Sequence, residues 1–112
     1  MRYSVKYSRA AIRDLDQVRN DVFEASQDAD TASRYVDELM DLVEAKADFP
    51  ESGSPLNYIG IFTGYRFVVF KAYIAFYRLD GHTLFVDRVL YGKSDYLQSL
   101  IPLLGNAGHR KR

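Results

Sequence analysis

The chain has 112 residues, 47% of them apolar, and no net charge, which allows one hydrophobic core and not two. It contains no cysteine, so a disulfide frame, a thiolate metal site and a cysteine nucleophile are excluded together. No stretch approaches the roughly 20 apolar residues of a membrane span, and no basic-then-apolar leader precedes the first strand-like residues, so a cytoplasmic protein without membrane contact is expected.

The charges are unevenly placed. Residues 9–48 hold eleven of the fifteen acidic side chains and five of the fifteen basic ones, a balance of minus six, so the remainder carries plus six. Half of that excess is Arg110, Lys111 and Arg112. Residues 57–100 hold five basic and three acidic side chains, which is weak for a nucleic-acid groove.

Tyr3, Val5 and Tyr7 alternate with Arg2, Ser4 and Lys6, the period-two pattern of a strand with one buried face. Ser8 can then cap a helix with its hydroxyl. Ala11, Leu15, Val18 and Val22 recur at helical spacing after it, widened by Ile12 and Phe23. Ser26 to Thr31 is a polar break in which Asp28 and Asp30 are candidate caps for a second helix. Its apolar face runs from Ala32 through Tyr35, Val36, Leu39 and Val43 to Ala47, and Phe49-Pro50 is expected to end it. The short connection makes the pair an antiparallel hairpin.

Residues 50–64 hold two of the three prolines and three of the seven glycines, and read as a loop with a short extended piece at Tyr58 to Phe62. Three aromatic, β-branched strands follow, and Asp80-Gly81 signals a tight hairpin between the last two. Lys93 to Leu100 is expected to form a last helical turn or two, and Gly105 to Gly108 no structure. The result is an α+β fold of plan β-α-α-β-β-β, a twisted antiparallel sheet with a helical hairpin on one face. One domain is expected over residues 1–100, with residues 101–112 a flexible tail.

With Asp80 and Gly81 as a two-residue turn, Leu79 pairs with His82 and Tyr77 with Leu84. One face then carries Tyr73, Ala75, Tyr77, Leu79, Leu84, Val86, Arg88 and Leu90. The other carries Ile74, Phe76, Arg78, Thr83, Phe85, Asp87, Val89 and Tyr91. Both faces are largely apolar, whereas a half-solvated antiparallel sheet has a polar outer face. Two helices cover one side. The excess of apolar sheet leads us to expect an obligate partner on the other, the alternative being cover by the chain's own 50–64 loop and C-terminal segment.

Chemistry-bearing sets are sparse. His82 lies at a hairpin tip and His109 in the tail, neither beside a serine elbow, and the carboxylates are spaced like a solvated helix exterior. What remains is Arg66, Lys71, Arg78, Arg88, Tyr91, Lys93 and Tyr96. A metal-free ribonuclease needs cations on the phosphorane, a proton donor and a base. Arg66, Arg78 and Lys93 supply charge and Tyr91 or Tyr96 a proton, but the base would have to be a strongly depressed lysine, Asp87 or Asp95. Arg88, among apolar neighbours, is expected to pair with a helix carboxylate or with Asp95.

Several segments carry a family resemblance: Ala32-x-Arg34-Tyr35-Val36-Asp37, Phe49-Pro50-Glu51-x-Gly53, Tyr65-Arg66, Tyr73-Ile74-Ala75-Phe76-Tyr77-Arg78 and Arg88-Val89-Leu90-Tyr91-Gly92-Lys93-x-Asp95. In this order and spacing the chain resembles the RelE/ParE superfamily of type II toxin–antitoxin toxins over residues 3 to about 100. The resemblance implies the same β-α-α-β-β-β plan, no cofactor or metal, and a cognate antitoxin wrapped on the toxin. RelE-like members cut mRNA on the ribosome with lysines, arginines and a late tyrosine, whereas ParE-like members inhibit DNA gyrase. Here Arg66 stands where a RelE-type strand has its first lysine. The other cationic positions fall at Val68, Ile74 and Ser94. These departures point to the ParE-like, non-enzymatic branch.

The resemblance thus implies gyrase as target, with Arg66, Arg78, Tyr91 and Lys93 as target contacts and Ile74, Phe76, Phe85 and Val89 as antitoxin contacts. The alternatives are a metal-independent endoribonuclease using Arg66, Arg78, Lys93 and Tyr96, or a degenerate toxin that only binds antitoxin.

Overall fold

The computed structural model describes residues 2–93, 96 and 98–102. Strand β1 (Ser4–Tyr7) leads into helices α1 (Arg9–Ser26) and α2 (Ala29–Glu44). Strands β2 (Ser54–Tyr58), β3 (Ile61–Phe70), β4 (Tyr73–Asp80) and β5 (Thr83–Tyr91) follow. The sheet order is β1-β5-β4-β3-β2. The expected plan is present with two additions: β2 is a strand in its own right, and β1 lies parallel to β5 at one edge of an otherwise antiparallel sheet.

The helix starts follow from side-chain oxygens. The Ser8 hydroxyl accepts from the Ala11 amide at 2.9 Å and donates to the Asp87 carbonyl at 2.8 Å, so one residue caps α1 and ties it to β5. Asp28 accepts from the Asp30 amide at 3.1 Å, and the Thr31 hydroxyl donates to its other oxygen at 2.8 Å. The Thr31 bond and then the Asp30 amide hold the Asp28 carboxyl below its ordinary range. Between the helices, Gln27 takes a left-handed conformation, φ +56°, and its amide closes α1 on the Phe23 carbonyl. The second helix stops at Glu44, short of Phe49-Pro50, and tightens into a 3₁₀ turn over Ala45–Ala47.

Leu15, Val18, Val36, Leu39 and Val43 pack their helical stripes onto Val68, Ala75, Tyr77, Leu84 and Val86 of the sheet. Tyr77 is fully buried there. Its hydroxyl donates to the Pro50 carbonyl at 2.6 Å and accepts from the Gly53 amide at 3.1 Å, which pins the α2–β2 connection to the core. Gly53 is required by this contact, since a Cβ there would strike the Tyr77 ring and hydroxyl.

The β4–β5 register departs from the expected one. Gly81 and His82 form the turn, so Asp80 pairs with Thr83 and Leu79 with Leu84. A slip of two residues leaves side chains on their original faces. A one-residue bulge then intervenes: Tyr77 pairs with Val86 but Phe76 with Arg88, leaving Asp87 as the extra residue. Beyond it parity reverses, and Val89, expected on the outer face, joins the helix-facing core.

Residues 98–102 are helical, continuing past the expected boundary at residue 100. Ser94, Asp95 and residues 103–112, with His109 and the basic tail, lie outside the described residues.

Candidate functional site

Residues Val68 and Phe70 of β3 belong to the helix-facing core, so Tyr65, Phe67 and Val69 alternate onto the opposite face. Arg78 pairs with Tyr65 across β3–β4 and with Phe85 across β4–β5, placing all three on that outer face. Asp87, the bulged residue, lies there as well, as the alternation of β5 expects. One oxygen, Oδ2, accepts from the Tyr65 hydroxyl at 2.7 Å and from Arg78 Nε at 3.0 Å. The guanidinium lies 4.8 Å above the Phe85 ring and reaches Asp80 at 3.7 Å. Burial and then the Asp87 carboxylate raise the Tyr65 hydroxyl far above its usual range, so it remains a donor. Burial, the largest single effect, lowers Arg78, but the charge and hydrogen bond of Asp87, joined by Tyr65 and Asp80, together outweigh it and raise the guanidinium above its ordinary value.

Arg66 faces the other way. It pairs with Tyr77 on the helix-facing side, where its Nη1 donates to the carbonyls of Glu51 at 3.1 Å and Gly53 at 3.2 Å. Its guanidinium lies 5.1 Å from the Phe62 ring centroid. The four residues expected around a scissile phosphate are therefore not gathered. Arg66 and Arg78 occupy opposite faces, each engaged by the fold. Lys93 is exposed just past β5, and Tyr96 has its ring 5.5 Å from Phe76. Lys71 is apart again, in the β3–β4 turn, its ammonium 5.1 Å from the Tyr35 ring and 5.3 Å from that of Phe70.

Arg88 meets a helix carboxylate, as its apolar setting requires. Its Nε and Nη2 donate to Asp14 Oδ2 and Oδ1 at 2.7 and 3.0 Å, and the Val89 amide donates to the same Oδ2 at 2.9 Å. The Asp14 hydrogen bond raises Arg88 further against a smaller opposing effect of burial.

The outer face is less open than its composition suggests. Phe76 is 1% exposed under Tyr96, and Leu100 of the C-terminal helical turn is fully buried. Phe76 and Val89, expected as antitoxin contacts, are thus enclosed by the chain itself: Phe76 by the C-terminal segment, Val89 by the helices after the bulge. Ile74 and Phe85 are half-buried, Phe85 under Arg78. Tyr91 remains 44% exposed at the end of β5 with its ring against Tyr73. The C-terminal segment, weighed from sequence as one possible cover, occupies part of the surface that an obligate partner was expected to need.

Three features had no part in the sequence reading. They are the Asp87 bulge, which of the helix carboxylates meets Arg88 (Asp14), and the apolar tip of the β2–β3 hairpin. A signal for the last was present: no charged side chain lies between Glu51 and Arg66. Among the described residues, no three His, Asp or Glu side chains converge in a way that could hold a metal ion. No described helix is long and apolar enough to cross a membrane.

The family described as the ParE toxin of type II toxin–antitoxin systems, parDE, matches the chain over residues 5–96, from β1 to Tyr96. Among solved structures, the chain is similar to the chromosomal ParDE toxin–antitoxin system from P. aeruginosa, with a TM-score of 0.65 and 20% identity over 80% of this chain and 95% of that one. It is also similar to the toxin–antitoxin complex RelBE2 from Mycobacterium tuberculosis, with a TM-score of 0.59 and 20% identity over 81% and 92%. YafQ from E. coli strain BL21(DE3) follows with a TM-score of 0.52 and 19% identity over 80% and 92%. At such identities the structures establish the shared fold. No curated protein sequence matches the chain.

Proposed function

The chain belongs to the ParE toxin family of type II toxin–antitoxin systems, and from that premise we propose that it is a cytoplasmic poison of DNA gyrase, held inactive by a cognate antitoxin. The observation that carries the gyrase reading is the separation of Arg66 from Arg78. A ribonuclease must bring its cations to one phosphate, and here one guanidinium is bound to backbone carbonyls on one face while the other is held by Asp87 on the opposite face. Tyr65 is buried with its proton held toward Asp87, and Asp87 itself is engaged by two donors, so neither offers a free base at neutral pH. The chain acts by binding, and the contact candidates are the outer edge of Arg78, Tyr91 and Lys93. Arg66 instead braces the loop before β2.

The antitoxin reading is supported by the two related structures described as toxin–antitoxin systems or complexes. It no longer leans on an excess of bare apolar sheet.

The test is expression of the chain alone, followed by a supercoiling assay with purified gyrase and sequencing of transcript ends. Growth arrest with trapped, cleaved DNA and intact transcripts is the expected result. Rapid cutting of transcripts on the ribosome, with gyrase unaffected, would replace this reading with the endoribonuclease one. No arrest at all would leave a chain that only binds its antitoxin.

A further inference from the structure

The last β3–β4 pair is Tyr65 with Arg78, yet β3 begins at Ile61 and pairs there with β2 alone, Asn57 with Phe62 and Tyr58 with Ile61. The β2–β3 hairpin therefore runs on by four residues of β3, roughly 13 Å of strand, beyond its last pair with β4, while β4 itself continues only two residues further, to Asp80. At its tip Tyr58, Ile59, Ile61 and Phe62 are 41%, 82%, 69% and 48% exposed. Residues 52–65 contain no charged side chain. A run of exposed apolar residues on a free-standing hairpin is unfavourable in water unless something receives it.

The turn adds a second, independent signal. Ile59 and Gly60 both have positive φ, +53° and +75°, the two-residue turn that favours Asn-Gly. A β-branched residue in the left-handed region is a steric outlier. The apex thus places its most exposed apolar side chain against the local backbone preference.

The finger is also braced. The Thr63 hydroxyl donates to the Leu56 carbonyl at 2.7 Å and accepts from the Tyr65 amide at 3.1 Å, and the Arg66 guanidinium backs the Phe62 ring.

Resting on the toxin reading above, we infer that this hairpin tip is the target-binding finger of the protein, inserting Ile59, Ile61 and the flanking rings into an uncharged apolar cleft of gyrase. The choice of occupant follows from shape, area and charge. A convex projection is complemented by a preformed concavity in a folded partner, whereas a linear antitoxin segment seeks a groove to lie in. Two copies meeting tip to tip set one convex surface against another, so they would touch over only part of roughly 500 Å² each, below the usual size of a stable interface, whereas a cleft encloses the whole tip. An anionic bilayer is held by clustered cations, and residues 52–65 supply none on a chain with no net charge.

The test uses the full chain carrying Ile59→Asn, which suits positive φ and so does not threaten the turn, and separately Ile61→Thr, which keeps β-branching. Growth arrest in cells and inhibition of purified gyrase should each weaken about tenfold or more. The thermal midpoint should be unchanged or slightly raised, and the Kd for the cognate antitoxin should stay within about twofold. Undiminished arrest by both variants overturns the inference. So does a tenfold loss of antitoxin affinity with arrest intact, a wild-type dimer that either variant dissociates, or wild-type binding to phosphatidylglycerol vesicles that the variants lose. A wild-type chain that arrests growth without touching gyrase ends the gyrase reading alone, and the finger is then judged on arrest. A wild-type chain that arrests nothing ends both.

Discussion

The β4–β5 and β2–β3 hairpins solve opposite problems. Around the Asp87 bulge, polar groups are satisfied in a tight knot: Tyr65 and Arg78 on the carboxylate, Ser8 on the Asp87 carbonyl, Asp14 on Arg88 and the Val89 amide. At the β2–β3 tip there is no charge to satisfy, and apolar side chains face water. The first region is organised for stability and register, the second against local stability. Residues that hold the body should therefore unfold it when changed, whereas those at the tip should alter behaviour while leaving the body intact.

The sharpest way to break that division is Asp14→Ala. It strips a largely buried guanidinium of its partner and leaves the Val89 amide unsatisfied, so a loss of about 3–5 kcal/mol is expected in urea unfolding. A loss under 1 kcal/mol would mean that the pair adds little to the body. Gly53→Ala comes next. The added methyl meets the Tyr77 ring and hydroxyl, and the strain should cost about 1–3 kcal/mol, relieved in the double variant with Tyr77→Phe. Tyr65→Phe removes one donor from Asp87 while Arg78 still holds the carboxylate, and about 1 kcal/mol is expected.

Alkaline titration reads the same body from another direction. Burial raises the hydroxyls of Tyr65, Tyr73 and Tyr77, with carboxylates reinforcing it at Tyr65 (Asp87) and Tyr73 (Asp21). The unfolded chain loses these protons near pH 10 while the folded one keeps them. Stability present below pH 10 is thus lost as pH rises toward the folded values, by up to about 1.4 kcal/mol per pH unit for each group. Denaturation midpoints should stay level on this account from pH 7 to 9 and fall above 10. A flat profile through pH 11 contradicts the burial. The smallest stability change is expected from Lys93→Ala, within about 0.5 kcal/mol because the side chain is exposed. Weaker arrest with unchanged melting would mark Lys93 as a target contact; unchanged arrest would remove it.

Local signals carried much of the architecture. Ser8 and Asp28 were readable as caps because capping needs one oxygen at one position. The alternation of Tyr3, Val5 and Tyr7 identified β1, though nothing local says that it pairs in parallel with β5. The site was less legible. A bulge changes parity without changing composition, so Val89 read as outward and Asp87 as one more polar residue on the outer face. Arg66 and Arg78 read as a set because strand alternation places them on opposite faces only once β3 and β4 are aligned. The prolines and glycines of residues 50–64 masked a strand that is sound but bent, its register shifting between Pro55 and Asn57.

Ser4 meets Thr83, and Tyr7 meets Val86, joining the first strand of the chain to the last described one. During synthesis the opening strand therefore waits, unpartnered along that ladder, until the last one has left the ribosome. A nascent chain halted before residue 83 can build its helical hairpin but not close the sheet on which its action would depend. The toxin's sheet is assembled only once β5 is free to receive β1.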